Sequence, residues 1–282
     1  MPDMESHLNS ASKSPPAHDV TKPSKVLQPK RHAEQPEKPV DQTATLAEPE
    51  TDSSEQRRAT TPRPTSQQPT RQKAAASVES RARNEVSRGS EDSPKIALTF
   101  DAGWEYKPGG RILDVLAKHN VRATFFLTGR WVEKNPDLAR RIAAEGHRIG
   151  NHTYSHRSLT KLSSAEIAEE AKKTEQLVLE LTGRSTKPLL RVPYGARNKR
   201  VLSVLEELGY CSIYWDVDSR DAYKANITPA EIEQRVLSKV RNGSIVLMHI
   251  GSKATADALD SLLQKLVDAG YQPVTVSETL SD

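Results

Sequence analysis

The sequence predicts an α/β fold, a parallel sheet built from successive βαβ units and preceded by a disordered N-terminal segment. Three observations predict it. All aromatic residues fall in the last two thirds of the chain. Seven β-type runs alternate there with six helical patterns. Three of that part's five histidines, and several acids, sit at the carboxyl ends of those runs, where ligands collect in parallel α/β folds.

The 282 residues divide sharply. None of the 13 aromatic residues lies before position 96, whereas 12 of the 18 prolines and only one of the 13 glycines do. Residues 1–94 are rich in Pro, Ser, Thr, Gln, Glu and Lys. Such a segment has too little apolar surface to offset the entropy of ordering it. It reads as a disordered Pro/Ser/Thr-rich linker with a short helical stretch over 73–86. Residues 95–282 read as one folded domain, of ordinary domain size. The mean hydropathy of −0.67 is therefore an average over two unlike parts.

Charge and cysteine content exclude several functions. The first 95 residues carry 15 Lys and Arg against 14 Asp and Glu, so they hold no unbalanced basic block for nucleic acid. The net charge of +4 and pI near 9.0 favour an anionic surface only mildly. Cys211 is the single cysteine, which excludes an intramolecular disulfide and a multi-cysteine zinc site. It opens an apolar run and reads as a buried thiol. No secretory signal peptide is visible at the start, and no apolar run reaches the ~18 residues of a transmembrane segment.

The folded part can be read in order. Strand-like runs occupy 96–101, 123–128, 147–152, 189–192, 211–216, 245–249 and 273–277. A helix fits 109–119. The next, 135–145, places Leu138, Ile142 and Ala143 on one face and stops at Gly146. Ser163 and Glu166 form a capping box that opens a helix to about Leu181, ended by Gly183. Another helix fits 198–208. Thr228, Pro229 and Glu231 supply a cap, a proline at the first helical position and an acid at the third. The last helix fits 255–269. Strands alternating with helices make parallel pairs with right-handed crossovers, in an open sheet or a closed barrel alike.

The strand ends carry the chemistry. Asp101 ends the first strand and is followed by Ala102, Gly103 and Trp104. His152 and His156 end the third, four residues apart, a spacing at which both rings can reach one metal ion. That spacing suits two plain hydrogen-bonding histidines equally, and strand-end position favours the metal. Arg191, Val192, Pro193, Tyr194 and Gly195 follow the fourth strand, and Arg191 is suited to grip a carboxylate. Asp218 and Asp221 follow the fifth and are candidates to orient His249, raising its pKa for work as an acid. His249 ends the sixth strand, after Leu247 and Met248. His119 and His147 lie away from these ends and read as surface or structural.

These motifs, taken together, resemble the polysaccharide deacetylases of carbohydrate esterase family 4 (CE4), the NodB-homology domain. The matching pieces are Thr99-Phe100-Asp101-Ala102-Gly103, Asn151-His152-Thr153-Tyr154-Ser155-His156, Arg191-Val192-Pro193-Tyr194-Gly195, Asp218-Ser219-Arg220-Asp221 and Ile245-Val246-Leu247-Met248-His249. The resemblance covers the folded part and implies a distorted (β/α)7 barrel with parallel strands. It implies a divalent metal, Zn2+ by preference, held by His152 and His156. Asp101 resembles the catalytic base that activates the attacking water, and His249 the acid that protonates the departing amine. Arg191 and Asp221 resemble the tethers of base and acid. The backbone N–H of Tyr194 resembles an oxyanion donor, and Leu247 the wall of the acetyl methyl pocket.

Two departures stand out. The family usually carries a second Asp after the first, as third metal ligand; here that position is Ala102, whose methyl cannot bind metal. Either affinity is lower, or another acid such as Glu105 reaches in, or Asp101 itself coordinates. Ala222 stands where the family commonly has Trp, which opens one wall of the groove. Trp104 and Trp215 are candidates to stack on a sugar. The expected activity is metal-dependent N-deacetylation of an N-acetylated polysaccharide, peptidoglycan first and chitin-type oligomers next. An O-acetyl esterase is a close variant, and a non-catalytic carbohydrate-binding protein with a degenerate metal site is the reading Ala102 favours. The resemblance implies work at the cell envelope or outside the cell, by a monomer.

Overall fold

The computed structural model describes residues 85–103, 107–222 and 226–281. Among the described residues, nine strands form one sheet. They are β1 (Glu85–Val86), β2 (Lys95–Ala102), β3 (Thr124–Leu127), β4 (Arg148–Asn151), β5 (Leu189–Leu190), β6 (Cys211–Ile213), β7 (Val217–Asp218), β8 (Ile245–His249) and β9 (Gln272–Val274). Their order is β1-β6-β5-β4-β3-β2-β8-β7, with β9 also on β2, and every strand pair is parallel. All seven expected strands are present. The sheet is a curled, incomplete barrel, with β1 and β7 at the two ends of the order.

Two strands were not foreseen. β7 is two residues long and follows the expected fifth strand after a break. β1 falls among the residues that composition gives to the linker. Glu85 and Val86 pair with Ser212 and Ile213, so the folded unit includes residues before Lys95. Val86 pairs with Ile213 and packs against the buried cluster that contains Ile213, which helps hold this strand. The helix expected over 73–86 lies outside the described residues up to 84, and its last two residues are this strand.

Helices cross between the strands: α1 (Gly109–Lys118), α2 (Gly129–Lys134), α3 (Pro136–Ala144), α4 (Ser164–Thr182), α5 (Lys199–Glu207), α6 (Pro229–Leu237), α7 (Lys253–Asp268) and α8 (Val276–Thr279). The two capping boxes form as read, Ser163 with Glu166 and Thr228 with Glu231. Gly183 ends α4 in the left-handed conformation at φ 67°, which glycine adopts without the Cβ clash. The short α2 was not foreseen. Thr128, read as the end of a strand, instead caps it by accepting the Trp131 N–H.

Strand alternation sets the position of the site. On β2, Ile96, Leu98, Phe100 and Ala102 join the main core with α1 and α7, where Phe100 stacks on Phe125 at 5.1 Å between ring centroids. Ile96, Leu98 and Phe100 each contribute roughly 1.5–3 kcal/mol by this burial. The intervening Thr99 and Asp101 face the other way, where Arg191 meets both.

Candidate active site

β2 and β8 lie side by side in a register that makes Asp101 the partner of His249. Base candidate and acid candidate are thus neighbours because two strands pair, not because they are close in sequence. Both line a cleft of about 390 Å³ together with His152, His156, Tyr194 and Leu247.

Asp101 is 5% exposed and Arg191 fully buried. An Arg191 guanidinium N–H donates to Asp101 Oδ1 at 2.7 Å and to Thr99 Oγ1 at 2.8 Å. Arg191 Nε–H also donates to the Ile213 carbonyl at 3.1 Å. A cation this deep persists because its donors are occupied. Burial pushes the Asp101 carboxyl up, but the Arg191 charge and hydrogen bond, with the nearby His152 and His249 rings, outweigh it and hold it below its ordinary value. The carboxylate is therefore ionised and keeps Oδ2 available, 3.5 Å from His152 Nε2.

His152 Nδ1 lies 2.8 Å from the Arg191 carbonyl, which can only accept, so Nδ1 carries the proton and Nε2 a lone pair. His156 Nε2 is 3.1 Å from that Nε2. Burial lowers the pKa of both rings despite the pull of Asp101, that of His156 to about 4. Two neutral imidazoles aimed at each other are a donor pair suited to a divalent cation such as Zn2+. Ala102 adds nothing to it. Its methyl is buried in the main core and does not line the cleft. Among the described residues, no three His, Cys, Asp or Glu side chains converge on one metal position. Glu105 and Trp104 lie outside the described residues.

His249 lines the same cleft. Asp221 Oδ1 lies 2.7 Å from its Nδ1, and Asp221 Oδ2 accepts the His249 backbone N–H at 2.9 Å. Thr255 Oγ1 donates to the same Oδ2 at 2.6 Å. Burial pushes the His249 pKa down, but the hydrogen bond and charge of Asp221, with the charge of Asp101, hold it above 6.5. Asp218 does not reach this ring; its carboxylate accepts the Arg220 N–H at 2.7 Å.

Tyr194 is 63% exposed, its backbone is left-handed at φ 60°, and its ring packs edge-on to His156 at 4.7 Å. Strain of this kind at a non-glycine residue gathers at functional sites. Leu247 is buried and lines the cleft. Trp215 lines it too, stacked on Tyr214 at 4.0 Å.

Sequence reading missed Thr99, Thr255 and Glu170, which hold the functional groups from behind. Thr99 and Thr255 carry no signal beyond being hydroxyls. Glu170 carries one, since helical spacing places it in the stripe of Ile167, Ala171, Thr174 and Val178.

The family profile described as polysaccharide deacetylase matches residues 88–213. A peptidoglycan-N-acetylglucosamine deacetylase of Bacillus cereus is 38% identical over 192 residues, covering 67% of this chain and 69% of that protein. This chain belongs to the polysaccharide deacetylase family. It is also 42% identical over 184 residues to the peptidoglycan-N-acetylglucosamine deacetylase PgdA of Listeria monocytogenes, across 65% of this chain. Among solved structures, a CE4 family pseudoenzyme from Bacillus anthracis matches with a TM-score of 0.68 and 33% identity, over 73% of this chain and 71% of that one. A mutant of that pseudoenzyme has restored enzymatic activity and matches as well. The chain spans 38% of the length of PgdA. It spans 65% of an uncharacterised Bacillus subtilis protein to which it is 35% identical over 210 residues. Among the described residues no helix is long and apolar enough to cross a membrane.

Proposed function

We propose that this polysaccharide deacetylase is an active, metal-dependent N-deacetylase of glycans. The observation that carries the reading is the pairing of Asp101 with Arg191 and of His249 with Asp221, side by side at one cleft. One carboxylate is held ionised and one imidazole is held at raised pKa, the arrangement that suits a general base and a general acid.

The roles follow from the atoms. Asp101 Oδ2 takes the proton of the attacking water while Arg191 fixes Oδ1. The Tyr194 backbone N–H donates to the oxygen of the acetyl group as charge builds on it. His249 Nε2 gives a proton to the departing amine while Asp221 holds Nδ1. Leu247 packs on the acetyl methyl. His152 and His156 would hold Zn2+, which when bound supplies Lewis-acid polarisation of the acetyl carbonyl. The products are acetate and a free amino sugar.

Peptidoglycan is the preferred substrate. Relatives named as peptidoglycan deacetylases support it, and the Pro/Ser/Thr-rich residues 1–84, outside the described part, suit a tether at a cell envelope. A chitooligosaccharide deacetylase, 42% identical over 160 residues, supports chitin-type oligomers as the next choice. Ala102 and the likeness to a pseudoenzyme favour a second reading, a glycan-binding protein without turnover. Acetate release from N-acetylated peptidoglycan, abolished by chelator and restored by Zn2+, is the expected result. Glycan binding without acetate release at any Zn2+ concentration selects the second reading.

A further inference from the structure

The turn from Thr153 to His156 carries one of the two facing imidazoles and belongs to neither helix nor strand. Thr153 and His156 are both left-handed, at φ 65° and 61°, a conformation that costs a non-glycine residue energy. Something outside the turn must hold it. Its four N–H groups receive no strand ladder, and each finds a side chain. Thr153 N–H donates to Asn151 Oδ1 at 2.8 Å and His156 N–H to Thr153 Oγ1 at 3.2 Å. The remaining two converge on one carboxylate. Tyr154 N–H donates to Glu170 Oε2 at 2.9 Å and Ser155 N–H to the same oxygen at 2.7 Å. The Ser155 hydroxyl donates to Glu170 Oε1.

Glu170 comes from the middle of α4, on the face that buries Ile167, Ala171, Thr174 and Val178, and is itself only 9% exposed. A carboxylate in such a stripe is costly unless its acceptor sites are filled, and the turn fills them. The carbonyl side of the turn is held from α2, where Gly129 N–H donates to Thr153 O at 3.0 Å and Arg130 N–H to Tyr154 O at 3.1 Å. Gly129 permits this approach, since a Cβ there would lie 2.3 Å from Tyr154 Cδ2.

We infer that Glu170 is a positioning residue for the imidazole pair, fixing His156 against His152 by clamping the Tyr154 and Ser155 amides. The inference rests on the reading of His152 and His156 as the metal pair. Glu170 touches neither ring and acts through the turn between them. Partners of this kind change metal affinity by about 10–100-fold when removed. Glutamine keeps one carbonyl acceptor for the two amides, so Glu170→Gln retains part of the clamp and Glu170→Ala none.

The test compares the full chain with Glu170→Ala, Glu170→Gln and Val178→Ala, the last removing buried methyls from the same helix away from the turn. Three quantities are read: amide hydrogen exchange at Tyr154 and Ser155, the ring NMR signals of His152 and His156, and the dissociation constant for Zn2+ alone. Glu170→Ala is expected to speed exchange at both amides by at least about tenfold. It shifts both ring signals and weakens Zn2+ binding at least tenfold. Glu170→Gln falls between, and Val178→Ala, though less stable, keeps wild-type values. If Glu170→Ala fails to fold, Glu170→Gln decides on the same readouts. Unchanged exchange and ring signals, or lost protection with unchanged Zn2+ affinity, overturns the inference. If the wild-type chain takes up no Zn2+, the metal reading fails, and exchange and ring signals still decide whether Glu170 sets the pair.

Discussion

Asp221 grips His249 at two points, with one carboxylate oxygen 2.7 Å from the ring Nδ1 and the other accepting the backbone N–H at 2.9 Å. The double contact fixes both the position of the ring and its tautomer. Nδ1 keeps its proton, so the exchangeable one sits on Nε2. The geometry suits the acid role proposed for His249, with the orienting carboxylate fully buried.

The pH profile should show it. His249 is protonated below a pKa raised above 6.5. Turnover that needs its proton is therefore lost as pH rises through that raised value. Asp221→Asn removes the negative charge that holds the pKa up, so the alkaline limb of kcat/KM should move to lower pH. His249→Ala should lower kcat by roughly 10²–10⁴-fold, the usual worth of a general acid, in a protein that still folds. An alkaline limb that stays in place in Asp221→Asn contradicts the assignment.

Asp101→Asn keeps the shape and an acceptor for Arg191 but loses the base. Turnover should fall by roughly 10²-fold or more. Circular dichroism should match wild type. Acetate release at wild-type rates would refute a basic role for Asp101.

Arg191→Met leaves Asp101 buried without its cation. Breaking a buried pair from one side costs about 3–5 kcal/mol, to be read as a lower midpoint in urea unfolding. The pH dependence carries a sign as well. The folded pKa of Asp101 is depressed, so its contribution to stability is complete above the ordinary value of 3.8 and is lost as pH falls through the folded value. In Arg191→Met that acid-side loss should shrink, because the carboxyl no longer gains a partner on folding. A variant as stable as wild type at pH 7 would count against the pair.

Ala102→Asp can add a ligand only where the end of β2 turns this side chain from the core to the imidazole pair. There an anionic ligand joins two neutral ones, and Zn2+ binding should tighten by at least about tenfold. The same change should lower the melting temperature of the zinc-free protein, because position 102 is fully buried beside Phe100 and Leu127. Unchanged Zn2+ affinity in calorimetric titration would show that position 102 contributes nothing to the pair.

Much of the fold was legible because each signal was local. The seven strands and the caps at Ser163 and Thr228 depend on residues within one turn or one strand of each other. β1 was not legible, because Glu85 and Val86 become a strand only through pairing with Ser212 and Ile213 far along the chain. Asp218 and Asp221 are alike in sequence. Spacing does not separate them, the family resemblance points to Asp221, and the described fold gives Asp218 to Arg220 and Asp221 to His249.

The sequence by itself determined which chemical groups this protein has at its strand ends: Asp101, His152, His156, Arg191, Asp221 and His249. Spacing and strand position suffice for that, since both are one-dimensional. The tertiary structure decided how those groups are electrically paired. Arg191 reaches Asp101 across 90 positions and Asp221 reaches His249 across 28. Those pairings outweigh burial at Asp101 and His249, whereas burial keeps His152 and His156 neutral, and both effects belong to the packed sheet rather than to any segment of it.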